Sequence, residues 1–410
     1  MKFYFLCYNY YTYYVSSLYA RYLRKKGHKC LLFLYEYEVS FVDINEGLWD
    51  EVIYIRHGKY KVPRRAKFLS FIRGGTHGYS RRYFGTYGVQ ELKKYIKETE
   101  KNILVVYKDN DVIFASAIEK FKLLTNYKGK VVLIEEGLAL YVKSLEMSFI
   151  YRNKFLLQGL HFLLGLSFFG TGRLKQGYHP ELDVIIAKEK EKLDAIQQKK
   201  VGIPQTKDLF TNQYIEMFLK EAINITDLSS ENLLKFDYLY IGQPLAADNV
   251  CSYEEEILFL ESIFSKIPKE KQIAIKPHPR DDIEKYCRMK NKFDNLVILE
   301  DTLLKLPVEI VYGMISGNPI VLTPYSSAYK TIHENYSSSN TYLLYKLLGK
   351  EDLNNKLSGT FNFDELLNVP TSNEEYLKLI FRESKVFEKR MRSTTNIKLE
   401  IDTLIKWLLN

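Results

Sequence analysis

The sequence predicts an α/β fold made of two doubly wound, Rossmann-like halves. Three observations carry that expectation: apolar runs of strand length, helical patterns alternating with them, and a restart of the alternation past residue 230. The length, 410 residues, also exceeds what one core usually organises. Apolar residues at 46% and charged residues at 27% are ordinary globular values and exclude wholesale disorder. With 21 glycines and 11 prolines, a collagen-like or low-complexity chain is excluded too.

Lys2–Cys7 reads as the first strand, and Tyr11–Lys26 as a helix closed by Lys-Lys-Gly, a good C-cap. Cys30–Tyr35 follows as a strand. Asn102–Tyr107 and Lys130–Ile134 are continuous apolar runs of the kind buried parallel strands show. In the second half, Tyr238–Ile241, Gln272–Ile275, Leu296–Leu299 and Pro319–Leu322 read as strands separated by helices. The stretch Glu189–Asp208 is charged and weakly periodic and holds Gly202 and Pro204, so it reads as a connection. An amphipathic helix around Tyr214–Ile223 precedes the expected boundary. The expected organisation is an N-terminal domain at 1–230, a C-terminal domain at 231–385, and a C-terminal helical segment at 386–410 packing across the domains.

An excess of 59 Lys and Arg over 50 Asp and Glu gives a net charge of +9, which fits an anionic partner without naming one. Cys7, Cys30, Cys251 and Cys287 are far apart and form no CxxC pair, which points to free thiols in a reducing compartment. The first residues carry no cleavable-signal pattern. The apolar segment Phe155–Gly172 contains Gln158, His161 and several glycines, so a buried or interfacial helix is expected rather than a membrane span. Lys154, Arg173 and Lys175 flank it and suit an anionic membrane face. The expected location is therefore cytoplasmic, peripheral at the inner face of a membrane.

In open parallel sheets, ligands bind beyond the carboxyl ends of strands. Polar clusters fall at four such ends: Glu135-Glu136-Gly137, Gly242-Gln243-Pro244, Lys276-Pro277-His278-Pro279-Arg280, and Thr323 to Ser327. Adjacent glutamates leaving a strand point to opposite sides, so one at most faces a cleft. Burial beside a like charge would raise its pKa toward that of a useful general base. Gly137 permits the turn, and the alternative reading is a solvated loop. The two prolines fix the backbone around His278. In extended geometry Lys276, His278 and Arg280 would share one face, which suits a phosphate. Pro307 opens a helix whose Glu309 is either a helix-dipole partner or a ribose acceptor. Ser326 and Ser327 precede a helix and can cap it, bind phosphate, or both.

Nine basic residues and no acid occupy the stretch from 56 to 82: Arg56, Lys59, Lys61, Arg64, Arg65, Lys67, Arg73, Arg81 and Arg82. They form either a solvated loop or a track for a polyanionic acceptor or anionic lipid. No Walker loop, HExxH, GxSxG or GxGxxG occurs, and no nucleic-acid module is recognisable.

The ordered set Glu135-Glu136-Gly137, His278-Pro279 and Ser326-Ser327 resembles the motifs of bacterial GT-B sialyltransferases. Those enzymes include lipooligosaccharide sialyltransferases and capsular polysialyltransferases. The resemblance implies two Rossmann-like domains facing a central cleft. It further implies an inverting, metal-independent transfer of sialic acid from CMP-sialic acid to a hydroxyl of a bacterial surface glycan. Glu135 would be the general base, with Glu136 as the alternative, and His278 would sit against the departing phosphate. Ser326 or Ser327 would add hydrogen bonds to it, and Glu309 would hold the ribose. Gly137, Gly242, Gln243 and Pro279 would line the donor site, while Lys276 and Arg280 join from charge and spacing alone. No cofactor is expected. The partners are a nucleotide-sugar donor and a glycan acceptor, with polysialic acid as an anionic candidate that would use the basic stretch. A CMP-Kdo or CDP-glycerol transferase is the nearest alternative, and a non-catalytic polyanion binder is one of a different class.

Overall fold

The computed structural model describes residues 1–36, 41, 44–56, 91–96, 100–136, 140–141, 175–205, 209–210, 212–222, 234–316, 318–326, 328–329, 331–332, 341–351, 369–380 and 397–409. The chain divides into two compact units. The first comprises Met1–Thr206, Lys220–Asn224 and Thr395–Asn410, and the second Lys207–Leu219 and Ile225–Thr394.

The first unit contains β1 (Lys2–Cys7), α1 (Tyr10–Lys25), β2 (Lys29–Glu36), β3 (Glu51–Arg56), β4 (Asn102–Val106), α2 (Val112–Leu124), β5 (Lys130–Ile134), β6 (Val184–Ala187) and β7 (Val201–Pro204). These strands form one parallel sheet in the order β3-β2-β1-β4-β5-β6-β7. The order reverses between β1 and β4, which makes their carboxyl ends the place where such a sheet opens for a ligand. β1, β4 and all but the first residue of β5 are buried, which is why they read as unbroken apolar runs. The abundance of tyrosine finds a structural use here, since α1 buries Tyr10, Tyr13, Tyr14 and Tyr19 against the sheet. A capping box between Asn9 and Thr12 starts α1, and Gly27 at φ +78° ends it.

β7 lies within the stretch expected to be a connection. Gly202 and Pro204 misdirect the sequence reading, but both are tolerated on β7 because it is the edge strand. One of the chain's passages between the units falls within α3 (Asn212–Glu221), the amphipathic helix expected around Tyr214–Ile223.

The second unit contains β8 (Leu234–Lys235), β9 (Tyr238–Ile241), α4 (Tyr253–Phe264), β10 (Ile273–Lys276), α5 (Glu284–Lys292), β11 (Leu296–Ile298), α6 (Asp301–Lys305), α7 (Val308–Met314), β12 (Ile315–Ser316), β13 (Ile320–Thr323), β14 (Thr341–Leu343) and α8 (Asn373–Ile380). A parallel sheet runs β11-β10-β9-β13-β14, and β8 pairs with β12 beside it. Its order reverses between β9 and β13. Both units are thus Rossmann-like, as the sequence predicts.

The last described helix, α9 (Ile397–Leu409), buries Ile397, Ile401, Leu404 and Leu408. It packs on α1 and β7 and is part of the first unit. The four cysteines are free thiols. Among the described residues no helix is long and apolar enough to cross a membrane, and Phe155–Gly172 lies outside them.

Candidate functional site

Tyr8 and Asn9 follow β1, Lys108 lies two residues beyond β4, and Glu135-Glu136 follow β5, so three adjacent strands deliver their ends to one place. The two glutamates diverge there. Glu135 is buried, and its carboxylate accepts the backbone N–H of Lys188 at 2.6 Å and the hydroxyl of Tyr141. Its own N–H donates to the carbonyl of Ile186, so the whole residue is built into the β5–β6 junction.

Glu136 faces the ends of β1 and β4. Its Oε1 accepts from Asn9 Nδ2 at 2.7 Å, and its Oε2 accepts from the hydroxyl of Tyr8. Lys108 Nζ stands 3.8 Å from the same Oε2 and 4.2 Å from the centroid of the Tyr8 ring. Phe114 from α2 packs against Tyr8 with ring centroids 5.0 Å apart. Burial pushes the Glu136 carboxyl up to about 8. This is a carboxyl that can release and take a proton near neutral pH.

The second unit carries its cluster at the ends of β9, β10 and β13. β10 stops at Lys276, and a turn follows in which Asp281 N–H donates to His278 O at 2.9 Å. The extended run that would put Lys276, His278 and Arg280 on one face is therefore not built, and each group has its own surroundings. Lys276 is buried and donates to the carbonyl of Leu304 at 2.8 Å, and burial brings its ammonium down to about 8. The nearby Glu309 carboxylate, buried in the first turn of α7, opposes that fall. Arg280 is half exposed, and its guanidinium pairs with both carboxylate oxygens of Asp248, at 3.1 and 3.4 Å.

His278 Nδ1 accepts the backbone N–H of Arg280 at 3.2 Å, which assigns the proton of the neutral ring to Nε2. Burial, helped by the Arg280 cation, pulls the imidazole down to about 4. At neutral pH it is an uncharged donor through Nε2–H.

Behind His278 lies a buried ionic network that the sequence reading does not anticipate. Lys285 donates to Asp281 at 2.5 Å and to Glu256, while Tyr286 Oη donates to the other Asp281 oxygen at 2.8 Å. Glu256 also accepts the N–H of Ala246 at 3.0 Å, tying the β9 and β10 loops together. Gly242 packs against this network: a Cβ there would stand 2.2 Å from Tyr286 Oη. Gln243 gives its carbonyl to Lys285 Nζ at 3.4 Å, and Pro279 is exposed. Ser326 Oγ accepts from the N–H of Ala328 at 3.3 Å, so it caps the turn of helix after β13.

Gly137 and Ser327 lie outside the described residues, as do Lys59, Lys61, Arg64, Arg65, Lys67, Arg73, Arg81 and Arg82. Arg56 is described, at the end of β3, and pairs with Glu36 at 2.8 Å. Tyr8, Asn9 and Lys108 are the residues missed around Glu136. The one local signal was for Asn9, an Asn two residues past a strand with Thr12 three residues on, which marks a helix start. Among the described residues no group of three His, Cys, Asp or Glu is placed to hold a metal.

Two parallel-sheet Rossmann-like units with polar clusters at their strand ends are the GT-B architecture. Residues 5–333 match the model of the alpha-2,8-polysialyltransferase family (POLYST), and the chain belongs to that family. It is therefore a sialyltransferase, working on a nucleotide-sugar donor and a glycan acceptor. Among solved structures, the GT-B domain of a sialyltransferase from Photobacterium damselae matches at 12% identity and a TM-score of 0.50. That match covers 90% of this chain and 98% of the other. A UDP-N-acetylglucosamine 2-epimerase from Rickettsia bellii matches at 11% identity and a TM-score of 0.53, over 100% and 95% of the two chains. At such identities the likeness is one of fold. No curated protein matches the chain.

Proposed function

We propose that this sialyltransferase moves sialic acid from CMP-sialic acid to a hydroxyl of a bacterial surface glycan, with inversion and without a metal. Glu136 is the general base in this reading, and Glu135 holds the strand end that presents it. The acceptor hydroxyl gives its proton to the Glu136 carboxylate as its oxygen bonds to the anomeric carbon. The bond from that carbon to the phosphate oxygen breaks, and CMP leaves with the electron pair. Attack opposite to the leaving group inverts the centre.

His278 Nε2–H donates to the departing phosphate, and Lys276 adds positive charge at the same strand end. Ser326 or Ser327 supplies further hydrogen bonds, and Glu309 takes the ribose. One phosphate leaves rather than two, so fixed side-chain donors in place of a metal suffice for its growing charge.

The observation that carries the reading is the setting of Glu136: a mostly buried carboxyl facing the switch point of the first sheet, held by three partners, with burial pushing its pKa up to about 8. The basic stretch from Arg56 to Arg82 supports an anionic acceptor such as polysialic acid, or peripheral contact with the inner face of a membrane. Incubation with CMP-sialic acid and an acceptor array, read by mass, tests the donor and acceptor together. Products of one added sialic acid or more, unchanged by chelator, are expected. Turnover of CMP-Kdo or CDP-glycerol with CMP-sialic acid untouched would reverse the assignment.

A further inference from the structure

We infer that Asn9 is a positioning residue for Glu136, locked in the donating orientation by its second task as the N-cap of α1. The inference rests on the reading of Glu136 as base and adds the device that aims it.

A side-chain amide can face a carboxylate with either end, and only its NH2 end is productive. In Asn9 the choice is already made. Its Oδ1 accepts the N–H of Thr12 at 2.8 Å, and its backbone is extended at φ −151° and ψ 170°. The Thr12 hydroxyl in turn accepts the N–H groups of Asn9, at 3.3 Å, and of Tyr8, at 3.1 Å. A flip of the amide would break the helix cap and set an oxygen against a carboxylate. Nδ2 is thus fixed on Glu136 Oε1.

Tyr8 is held in the same way, between the ring of Phe114 and the ammonium of Lys108, so that its hydroxyl meets Oε2. Among the described residues Oε2 faces Tyr8 and Lys108, whereas Oε1 receives Asn9 alone and keeps a lone pair for the incoming proton. Among the described residues, the charged and titratable groups facing Glu136 are Tyr8 and Lys108. Its neighbour Glu135 is turned away onto Lys188 N–H and Tyr141.

Donation to the charged form of a carboxyl lowers its pKa, so Asn9 counters part of the upward push of burial. Asn9→Ser separates the two tasks, because serine caps the helix but cannot reach the carboxylate with an amide. Full-length wild-type and variant proteins carrying 13C-carboxyl glutamate would be titrated by NMR, with the Glu136 signal assigned by its loss in Glu136→Gln. In Asn9→Ser the midpoint should rise by about one pH unit. The ascending limb of the pH–rate profile should move with it, and the rate at neutral pH should fall about tenfold. Donor KM should stay put, since in this reading Asn9 acts on Glu136 and has no part in holding the donor. Asn9→Asp, which keeps the cap and adds a like charge, should raise the midpoint further and stands in if the serine variant fails to fold. An unmoved midpoint and an unmoved limb in a folded variant would overturn the role of Asn9. Normal transfer by Glu136→Gln would instead overturn Glu136 as base, with the NMR titration still reporting the Asn9 contact.

Discussion

Glu135 and Glu136 are neighbours in the chain whose carboxylates end in separate chemical surroundings. One closes a strand junction through Lys188 N–H and Tyr141; the other faces Tyr8, Asn9 and Lys108. Their substitution should therefore separate stability from turnover. Glu136→Gln should lower transfer by about two orders of magnitude or more, the usual worth of a positioned base, with little change in melting. Glu135→Ala should leave a buried N–H without its acceptor and cost about 1–3 kcal/mol in unfolding free energy. Turnover and thermal melts on the two variants decide it, and the reverse pattern would exchange the roles.

The pH dependence follows from the same carboxyl. Its folded value of about 8 stands above the ordinary 4.5, so the folded state binds the extra proton between those limits. The stability contributed by Glu136 is full below about pH 4.5 and is lost as the pH rises through about 8. Transfer runs the other way, because the base must be ionised: kcat/KM should be half-maximal at about pH 8 and level roughly one unit above it. Wild-type profiles of both quantities should cross in this manner, and Glu136→Gln should flatten the stability slope.

His278 has the opposite sign. Its folded value of about 4 lies below the ordinary 6.5, so stability from this group is lost as the pH falls from about 6.5 through 4. The imidazole signal in NMR should stay that of a neutral ring with the proton on Nε2 between pH 5.5 and 8. A midpoint near 6.5 would show that the ring is solvated and that the donor assignment fails.

Much of this architecture was legible in the residues. Continuous apolar runs gave β1, β5 and β9 their observed bounds because strands buried on both faces need no alternation. β6 and β7 were not read; in β7, Gly202 and Pro204 imitate a linker on an edge where neither does harm. That the paired glutamates diverge was readable from strand geometry. Which one meets Asn9 was not, since that contact joins residues 127 apart in sequence. The alternation of Lys276, His278 and Arg280 assumed an extended chain, whereas β10 ends at Lys276 and the turn gives each a different neighbour.

The network behind His278 should be costly to break. Lys285→Met leaves Glu256 and Asp281 buried without their cation, at about 3–5 kcal/mol. Donor affinity should fall with it, because Asp281 N–H holds His278 O. Denaturant unfolding and CMP calorimetry would measure the two losses, and unchanged values would make the network incidental.

Gly242 offers a test of close packing. Gly242→Ala drives a methyl into Tyr286 Oη, which its bond to Asp281 holds in place, for about 1–3 kcal/mol. Adding Tyr286→Phe should recover part of that loss in urea titrations, and a double variant no better than the single one would show that the strain lies in the backbone.

The place of α9 bears on how the molecule comes to exist. A ribosome delivers the seven-stranded sheet early, makes the whole second unit next, and only then supplies the helix whose Ile397, Ile401, Leu404 and Leu408 cover α1 and β7. Throughout that interval the nascent first unit carries a sticky uncovered flank, so premature termination leaves an aggregation-prone product rather than a smaller working one.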